Sequence, residues 1–212
     1  MKNLLSFSFL ALALIGSSTL RGNAQDSQLQ ITQDNQFKVK VKYDRVIVRD
    51  KSKPVRRALE EQYAKIAEAN KNKDLTAELA LRTPDFSAQF PNGEIKNSEQ
   101  MAGYSTALFS QIQSPIVVTN TIESLDVHGD KAVAVVHQVF SRMQVKAGKL
   151  RKIETEARQR ETWVLTSDGW RLKFVDDVHP GAWYVDGKRV DPSKPYNPDA
   201  PPYNPDNTAP KP

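Results

Sequence analysis

The spacing of apolar residues changes at Pro115, and that change constrains the fold more than any other feature of the chain. Upstream of it, Val55, Leu59, Tyr63, Ile66 and Ala67 recur at helical spacing between Pro54 and about Asn72. Pro54 stands where a helix opens and a missing amide proton costs nothing. Downstream, the period drops to two over Ile116 to Val127, Lys131 to Lys146, Leu150 to Thr166 and Trp170 to His179. His128-Gly129-Asp130, Ala147-Gly148-Lys149 and Ser167-Asp168-Gly169 separate these stretches, each short and glycine-containing as hairpin turns are. A long antiparallel meander therefore needs an amphipathic helix to cover its apolar face.

The intervening segment supplies more helix. Asp74 is placed to cap a short helix over Leu75 to Leu81, which Thr83-Pro84 ends. Phe86 to Phe90 reads as a short strand, Pro91-Asn92-Gly93 as a turn, and Ser98-Glu99-Gln100 as the start of a third helix to about Gln113. A last small hairpin is expected around Asp186-Gly187, with Trp183, Tyr184 and Val185 on one arm and Arg189 and Val190 on the other. The fold class is α+β, with three N-terminal helices packed on a strongly bent antiparallel sheet. One such domain accounts for residues 54–190.

The flanks differ in kind. Residues 1–24 read as a secretory signal: Lys2 at the start, an apolar run from Leu4 to Ile15, and small Gly22 and Ala24 before the cut. Cleavage near Ala24 predicts a periplasmic or extracellular protein. No cysteine follows the run, which excludes a lipoprotein, and the run is too short to cross a bilayer stably. Residues 25–53 form a basic extension. The stretch from Phe37 to Arg57 holds nine basic residues against Asp44 and Asp50, although the whole chain carries a formal charge of only +5. Phe37, Val39, Val41 and Tyr43 alternate with lysines there, as in a strand with a charged, solvated face, and no aromatic stacking platform for nucleic acid is present. Residues 191–212 contain eight prolines and repeat Pro-Tyr-Asn-Pro-Asp at Pro195 and Pro202. This tail is expected to be extended or disordered, or draped over the domain through Tyr196 and Tyr203.

The inventory of side chains removes several chemistries. With no cysteine and three histidines, a disulfide scaffold, a thiolate nucleophile and cysteine-ligated metal are excluded, and no metal site is expected. No glycine-rich phosphate loop, Gly-x-Ser-x-Gly elbow or His-Glu-x-x-His occurs. No cofactor is expected.

The order of elements, with Tyr63 to Asp74, Pro84-Asp85-Phe86, Gly93, Ser98-Glu99-Gln100, Glu161-Thr162-Trp163 and Asp168-Gly169-Trp170, resembles the nuclear transport factor 2-like superfamily in its SnoaL-like bacterial branch. The resemblance covers Val55 to His179. It implies a cone-shaped, cystatin-like roll, a sheet wrapped round the long helix with an apolar pocket between, and homodimers formed through the outer face of the sheet. In the ketosteroid isomerase branch, an aspartate before Pro-x-Gly removes a proton and a tyrosine on the first helix stabilises the oxyanion. Here the matching positions are Phe90, before Pro91-Asn92-Gly93, and Ile66. Both are apolar, so the resemblance leans away from an enzyme of that kind.

Strand parity nominates the pocket. Val133, Val135, His137, Val139 and Met143 share a face; so do Ala157, Gln159, Glu161, Trp163 and Leu165, and so do Trp170, Leu172, Phe174 and Asp176. If these are the inner faces, His137, Gln159, Glu161 and Asp176 converge as the polar groups of an apolar cleft. Parity does not say which face is inner, and bulges shift it. His137 is a candidate acid–base group or a core residue. Glu161 and Asp176 form either a catalytic carboxylate pair or structural ion pairs with Arg158, Arg160 and Arg171. Tyr63, Phe86, Phe90, Tyr104, Trp163 and Phe174 complete the expected pocket, with the tyrosine hydroxyls reaching the surface and Trp163 and Trp170 anchoring the core. Asp85 reads as a turn or capping group. The leading expectation is an exported domain that binds a small apolar or amphipathic ligand, or serves as an interaction module. The other is a pocket enzyme of the dehydratase, isomerase or cyclase kind using His137 with Asp176 or Glu161.

Overall fold

The computed structural model describes residues 52–208. The expected signal segment and nearly all of the basic extension lie outside these residues. Three α-helices are found among them: α1 (Ser52–Asn72), α2 (Leu75–Leu79) and α3 (Ser98–Gln111). The strands are β1 (Arg82–Gln89), β2 (Ile95–Asn97), β3 (Ile112–His128), β4 (Lys131–Lys146), β5 (Lys149–Thr166), β6 (Gly169–Val185) and β7 (Lys188–Arg189). None of these helices is long and apolar enough to cross a membrane.

Local chemistry sets the helix ends. α1 stops where Lys73 takes a left-handed conformation (φ 53°) and Asp74 N donates back to the Ala69 carbonyl at 2.8 Å. The Lys73 ammonium then donates to the carbonyls of Phe109 and Ile112, at 2.9 and 2.5 Å, tying the end of α1 to that of α3. Asp74 caps α2 by accepting from Ala77 N at 2.9 Å. α3 begins at Ser98 behind a reciprocal capping box, in which the Asn97 side chain accepts from Gln100 N and Gln100 Oε1 accepts from the Asn97 amide.

The sheet runs β2-β1-β6-β5-β4-β3, with β7 beside β6. It is mixed and open rather than wholly antiparallel, because β1 enters from the helical segment and pairs parallel with β6. The four-strand meander is as the alternation predicts, although β3 starts at Ile112 and β6 runs on to Val185, six residues past the expected end at His179. Three register shifts between β5 and β6 lengthen β6 relative to its partner, and such bulges bend a strand locally.

One face of this sheet is apolar and covered. Leu59 and Tyr63 of α1, Phe86 and Ala88 of β1 and Met101 of α3 pack with Ala132, Ala134 and Val136 of β4, Trp163 of β5, and Trp170, Leu172 and Val175 of β6. Ala132 and Ala134 are small and fully buried, which gives the Trp163 indole its room. A second cluster, Phe109, Ile112, Ile116 and Phe140, closes the far end of α3 against β3 and β4. As far as it is described, the proline-rich tail lies against the β6–β7 hairpin and β5. Tyr203 N donates to the Arg189 carbonyl at 2.9 Å, and the guanidinium groups of Arg151 and Arg189 lie over the rings of Tyr196 and Tyr203. Each copy of the repeat makes the same Asx turn, Asn197 accepting from Asp199 N and Asn204 from Asp206 N.

Candidate functional site

Between the helices and the inner face of the sheet lies a cavity of about 140 Å³. Its walls are Tyr63, Ile66 and Asn70 of α1, Glu78 of α2, Arg82 and Phe86 of β1, and Met101, Tyr104, Ser105, Leu108 and Phe109 of α3. The sheet supplies Val118, Asn120, Gln138, Phe140, Gln159, Glu161, Leu172 and Val175. Apolar and aromatic side chains make up most of this wall, and eight polar or charged side chains stand among them.

Glu161 is the most unusual of those groups. Its alternation partners on β5, Gln159 and Trp163, lie two residues to either side and share its face, and the Tyr63 side chain comes down from α1. All three donate to its carboxylate: Tyr63 Oη to Oε2 at 2.6 Å, Trp163 Nε1 to Oε2 at 3.0 Å, and Gln159 Nε2 to Oε1 at 2.7 Å. Tyr63 and Trp163 also meet edge to face, with centroids 5.4 Å apart and planes at 85°. No cation pairs with Glu161 among the described residues. Burial raises its pKa above the usual carboxylate range, and the three donors pull the other way without cancelling that rise. The same burial, with the neighbouring carboxylate, holds the Tyr63 hydroxyl protonated far above the ordinary phenol range.

A second polar cluster stands on the opposite wall. Arg82 Nη2 donates to Glu78 Oε1, and Ser105 Oγ donates to the same oxygen at 3.3 Å. Burial raises the Glu78 carboxyl and lowers the Arg82 guanidinium, each partly offset by the other. On the sheet wall, Gln138 donates to Asn120 at 3.0 Å across the β3–β4 pair. Beyond Phe140, outside the cavity lining, Arg142 is only 1 % exposed. It donates to the Phe140 carbonyl and Thr155 Oγ1 and stacks 4.6 Å from the Phe140 ring centroid, and burial lowers its pKa to about 10.

The residues singled out from sequence are divided by this geometry. Tyr63, Phe86, Tyr104, Gln159 and Glu161 line the cavity, with Ile66 beside them. Trp163 is fully buried behind Glu161, and Phe90 packs edge to face on Tyr104 under the Lys96 ammonium. His137 does not converge with them. The buried residues of β4 are the even-numbered ones, Ala132 to Gln144, so His137 projects from the outer face, where its ring is 39 % exposed and 3.9 Å from Glu156. Phe174 and Asp176 are also on the outer face. β6 carries a bulge at Lys173, so that Leu172 pairs with Trp163 but Phe174 pairs with Thr162, and parity inverts. Asp176 there accepts two bonds from Arg160, at 2.8 and 2.6 Å, instead of pairing with Glu161. The Tyr63 hydroxyl points inward rather than to the surface. Asp85 is exposed and pairs with Lys173 at 2.8 Å.

Glu78, Arg82 and Ser105 were not anticipated. Their one sequence signal is the four-residue spacing of Glu78 and Arg82, which is common on solvated helix faces. No group of three or more potential metal ligands occurs among the described residues. A second, open hollow of about 530 Å³ lies under the tail, walled by Lys188, Tyr196 and Tyr203 among others.

No protein-family model matches the chain, and no curated protein matches it. Among solved structures, it is similar to the Kfla4162 protein of Kribbella flavida, at 17 % identity and a TM-score of 0.54, over 63 % of this chain and 95 % of that one. It is similar to a type 2 hexachlorocyclohexane dehydrochlorinase, at 11 % identity and a TM-score of 0.52, over 69 % and 96 %. A nuclear transport factor 2-like superfamily protein of Salmonella enterica aligns at 21 % identity with a TM-score of 0.49, over 62 % and 94 %.

Proposed function

From the nuclear transport factor 2-like fold that this chain has, we propose that the protein binds a small, mainly apolar molecule in the cavity between the helices and the sheet. The sheet closing round the helices as a cone, export after cleavage near Ala24, and pairing of two copies through the outer sheet face belong to the same reading. The observation that carries it is Glu161: a buried carboxylate on the cavity wall, held by three directed donors and paired with no cation. Such an arrangement is costly for a core and useful for a site. The cavity's size limits the occupant to about one ring, since an apolar cavity of about 150 Å³ takes up benzene.

One observation favours a second reading, catalysis of the dehydratase, isomerase or cyclase kind. Glu161 lines the cavity and its pKa is displaced upward, as an acid–base group working near neutrality requires. In that reading Glu161, one of the two acidic partners that sequence offered to His137, does the acid–base work without His137 or Asp176. The dehydrochlorinase of similar fold is an enzyme by its name, and that is a property of that protein.

Titration of one-ring compounds, read by tyrosine and tryptophan side-chain NMR, tests binding. Perturbation of Tyr63 and Trp163 is the expected result, and one-ring compounds that leave both unmoved refute the reading. Mass spectrometry of the molecule retained by Glu161→Gln and by the wild type separates the two readings. Identical molecules favour binding alone; substrate on the variant and product on the wild type favour catalysis.

A further inference from the structure

The helices cover the inner face of β4 unevenly. Its even-numbered positions from Ala132 to Gln144 face inward, and all are buried except Gln138. Asn120 of β3 stands directly opposite Gln138 and is also only partly buried, and both line the cavity. Gln159 of β5 lines it too. It pairs with Val136, which makes it the diagonal neighbour of Gln138 on the same face, about 7–8 Å away and within reach of long side chains. The three form a row of amides across the sheet that ends at Glu161. Part of each is already engaged: Gln138 Nε2 donates to Asn120 Oδ1 at 3.0 Å, and Gln159 Nε2 donates to Glu161 Oε1 at 2.7 Å. The remaining ends, Asn120 Nδ2, Gln138 Oε1 and Gln159 Oε1, make no hydrogen bond among the described residues. Unlike Glu78 Oε2 and Arg82 Nη1, none of them is sealed from solvent. The 3.0 Å bond and the dimensions of an amide place Asn120 Nδ2 and Gln138 Oε1 at most about 7 Å apart. One donor group and two acceptors are thus open on the inner face, where one small ligand group reaches them.

We propose, resting on the ligand-binding reading above, that this row of amides reads the ligand's polar head, and that the head is an uncharged primary carboxamide on a single ring. A carboxamide carries one carbonyl and two N–H groups, the complement of what the row presents. Its carbonyl accepts from Asn120 Nδ2, and its N–H groups donate to Gln138 Oε1 and Gln159 Oε1. Turning over the Asn120 and Gln138 amides together exchanges their ends and leaves the same count. Gln159 keeps its orientation while Glu161 is ionised, because a carboxylate only accepts. A carboxylate head offers no N–H to either glutamine. An ammonium head offers no acceptor to Asn120, sheds its hydration for neutral oxygens, and finds the Glu161 carboxylate already engaged by three donors. The ring lies among the apolar side chains of the lining, Leu108, Val118 and Phe140 among them.

The test titrates five one-ring probes of similar size, benzamide, acetophenone, benzoate, benzylammonium and toluene, into the protein at pH 8, with affinities read by NMR. Acetophenone has the outline of benzamide without its N–H groups. Benzamide is expected to bind about tenfold or more tightly than each of the others. In Gln138→Met, which keeps the length of the side chain and loses its oxygen, the lead of benzamide over acetophenone is expected to fall about threefold or more. Any of the other four binding the wild type as tightly as benzamide overturns this inference and leaves the ligand-binding reading standing, and so does a lead unchanged in folded Gln138→Met. Failure of all five, toluene included, removes both. Where Gln138→Met fails to fold, the wild-type ranking decides.

Discussion

Replacing Glu161 by leucine and by glutamine separates the hydrogen-bonding role of the side chain from its charge. Leucine leaves three donors without their acceptor: the Tyr63 hydroxyl, the Trp163 indole and the Gln159 amide. A stranded buried donor costs about 1–3 kcal/mol. Gln159 can turn its amide to present the oxygen, so two donors remain stranded, and the expected loss is about 3 kcal/mol at pH 5. Glutamine keeps one oxygen for Tyr63 and Trp163, and its new amide hydrogens are accepted by Gln159 once that side chain turns over. Its cost at pH 5 is therefore small. The pH dependence carries the sharper test. Because burial raises the Glu161 pKa above the ordinary 4.5, the folded state holds that proton more tightly than the unfolded chain. The stability this contributes is present in full below pH 4.5 and is lost as pH rises toward the folded value. The glutamine variant has no such loss. Its stability relative to wild type should climb by about 1.4 kcal/mol per pH unit across that window. The raised Glu78 carboxyl is common to both proteins and cancels in the difference. Urea unfolding followed by tryptophan fluorescence at pH 5, 6, 7 and 8 measures it. A difference that stays flat with pH, or a leucine variant as stable as wild type, refutes this role for Glu161.

Tyr63→Phe keeps the edge-to-face contact with Trp163 but removes one charge-assisted bond to Glu161; a loss of about 2 kcal/mol in unfolding free energy, read from urea titration, is expected. His137→Gln and Asp176→Asn both act on the outer face, so each should leave probe affinity within twofold of wild type and shift stability by under about 1 kcal/mol, as exposed pairs do. Arg142→Met should be nearly neutral, because the guanidinium it removes is buried without a carboxylate and Thr155 Oγ1 keeps its bond to the Phe140 carbonyl. Arg142→Ala should cost about 3 kcal/mol through the space it leaves. Thermal and urea unfolding of the pair check both.

The fold was legible where the pattern was long. Four alternating stretches with glycine turns fixed the meander, and the period of α1 fixed the face that covers it. The parallel entry of β1 beside β6 was not legible, because an eight-residue strand between helices carries no mark of its partner. The site was legible in part. β5 is straight through Gln159, Glu161 and Trp163, so its parity gave the inner face correctly, and the Tyr63 ring falls on the buried side of α1 with Leu59. On β4 the two faces are nearly equal in hydrophobicity, valines at 133, 135 and 139 against alanines and a valine at 132, 134 and 136. Hydrophobicity alone chose the larger side chains for the inside. Size decided otherwise: the inner face must admit Trp163 and a helix, so it takes the alanines, and the valines and His137 go out.

Size and register together explain why the polar groups of the cavity stand where they do. A bulge at Lys173 turns Phe174 and Asp176 outward and brings Val175 in opposite Glu161. Without that bulge Asp176 lies on the inner face near Glu161, and two buried carboxylates raise each other's pKa in a site with no cation nearby. With it, Asp176 meets Arg160 outside and Glu161 is left alone among donors. The second carboxylate of the cavity, Glu78, enters from the helical side with Arg82 already attached. One wall thus holds a lone acid and the other an ion pair. Deleting Lys173 takes out the extra residue and leaves Phe174 opposite Thr162, Val175 opposite Glu161 and Asp176 opposite Arg160, so Asp176 should stay outside and the dependence of stability on pH should match that of the wild type. A variant lacking Lys173 whose stability falls more steeply than that of the wild type as pH rises above the acid range would show that Asp176 has turned inward and that this register does not set the arrangement.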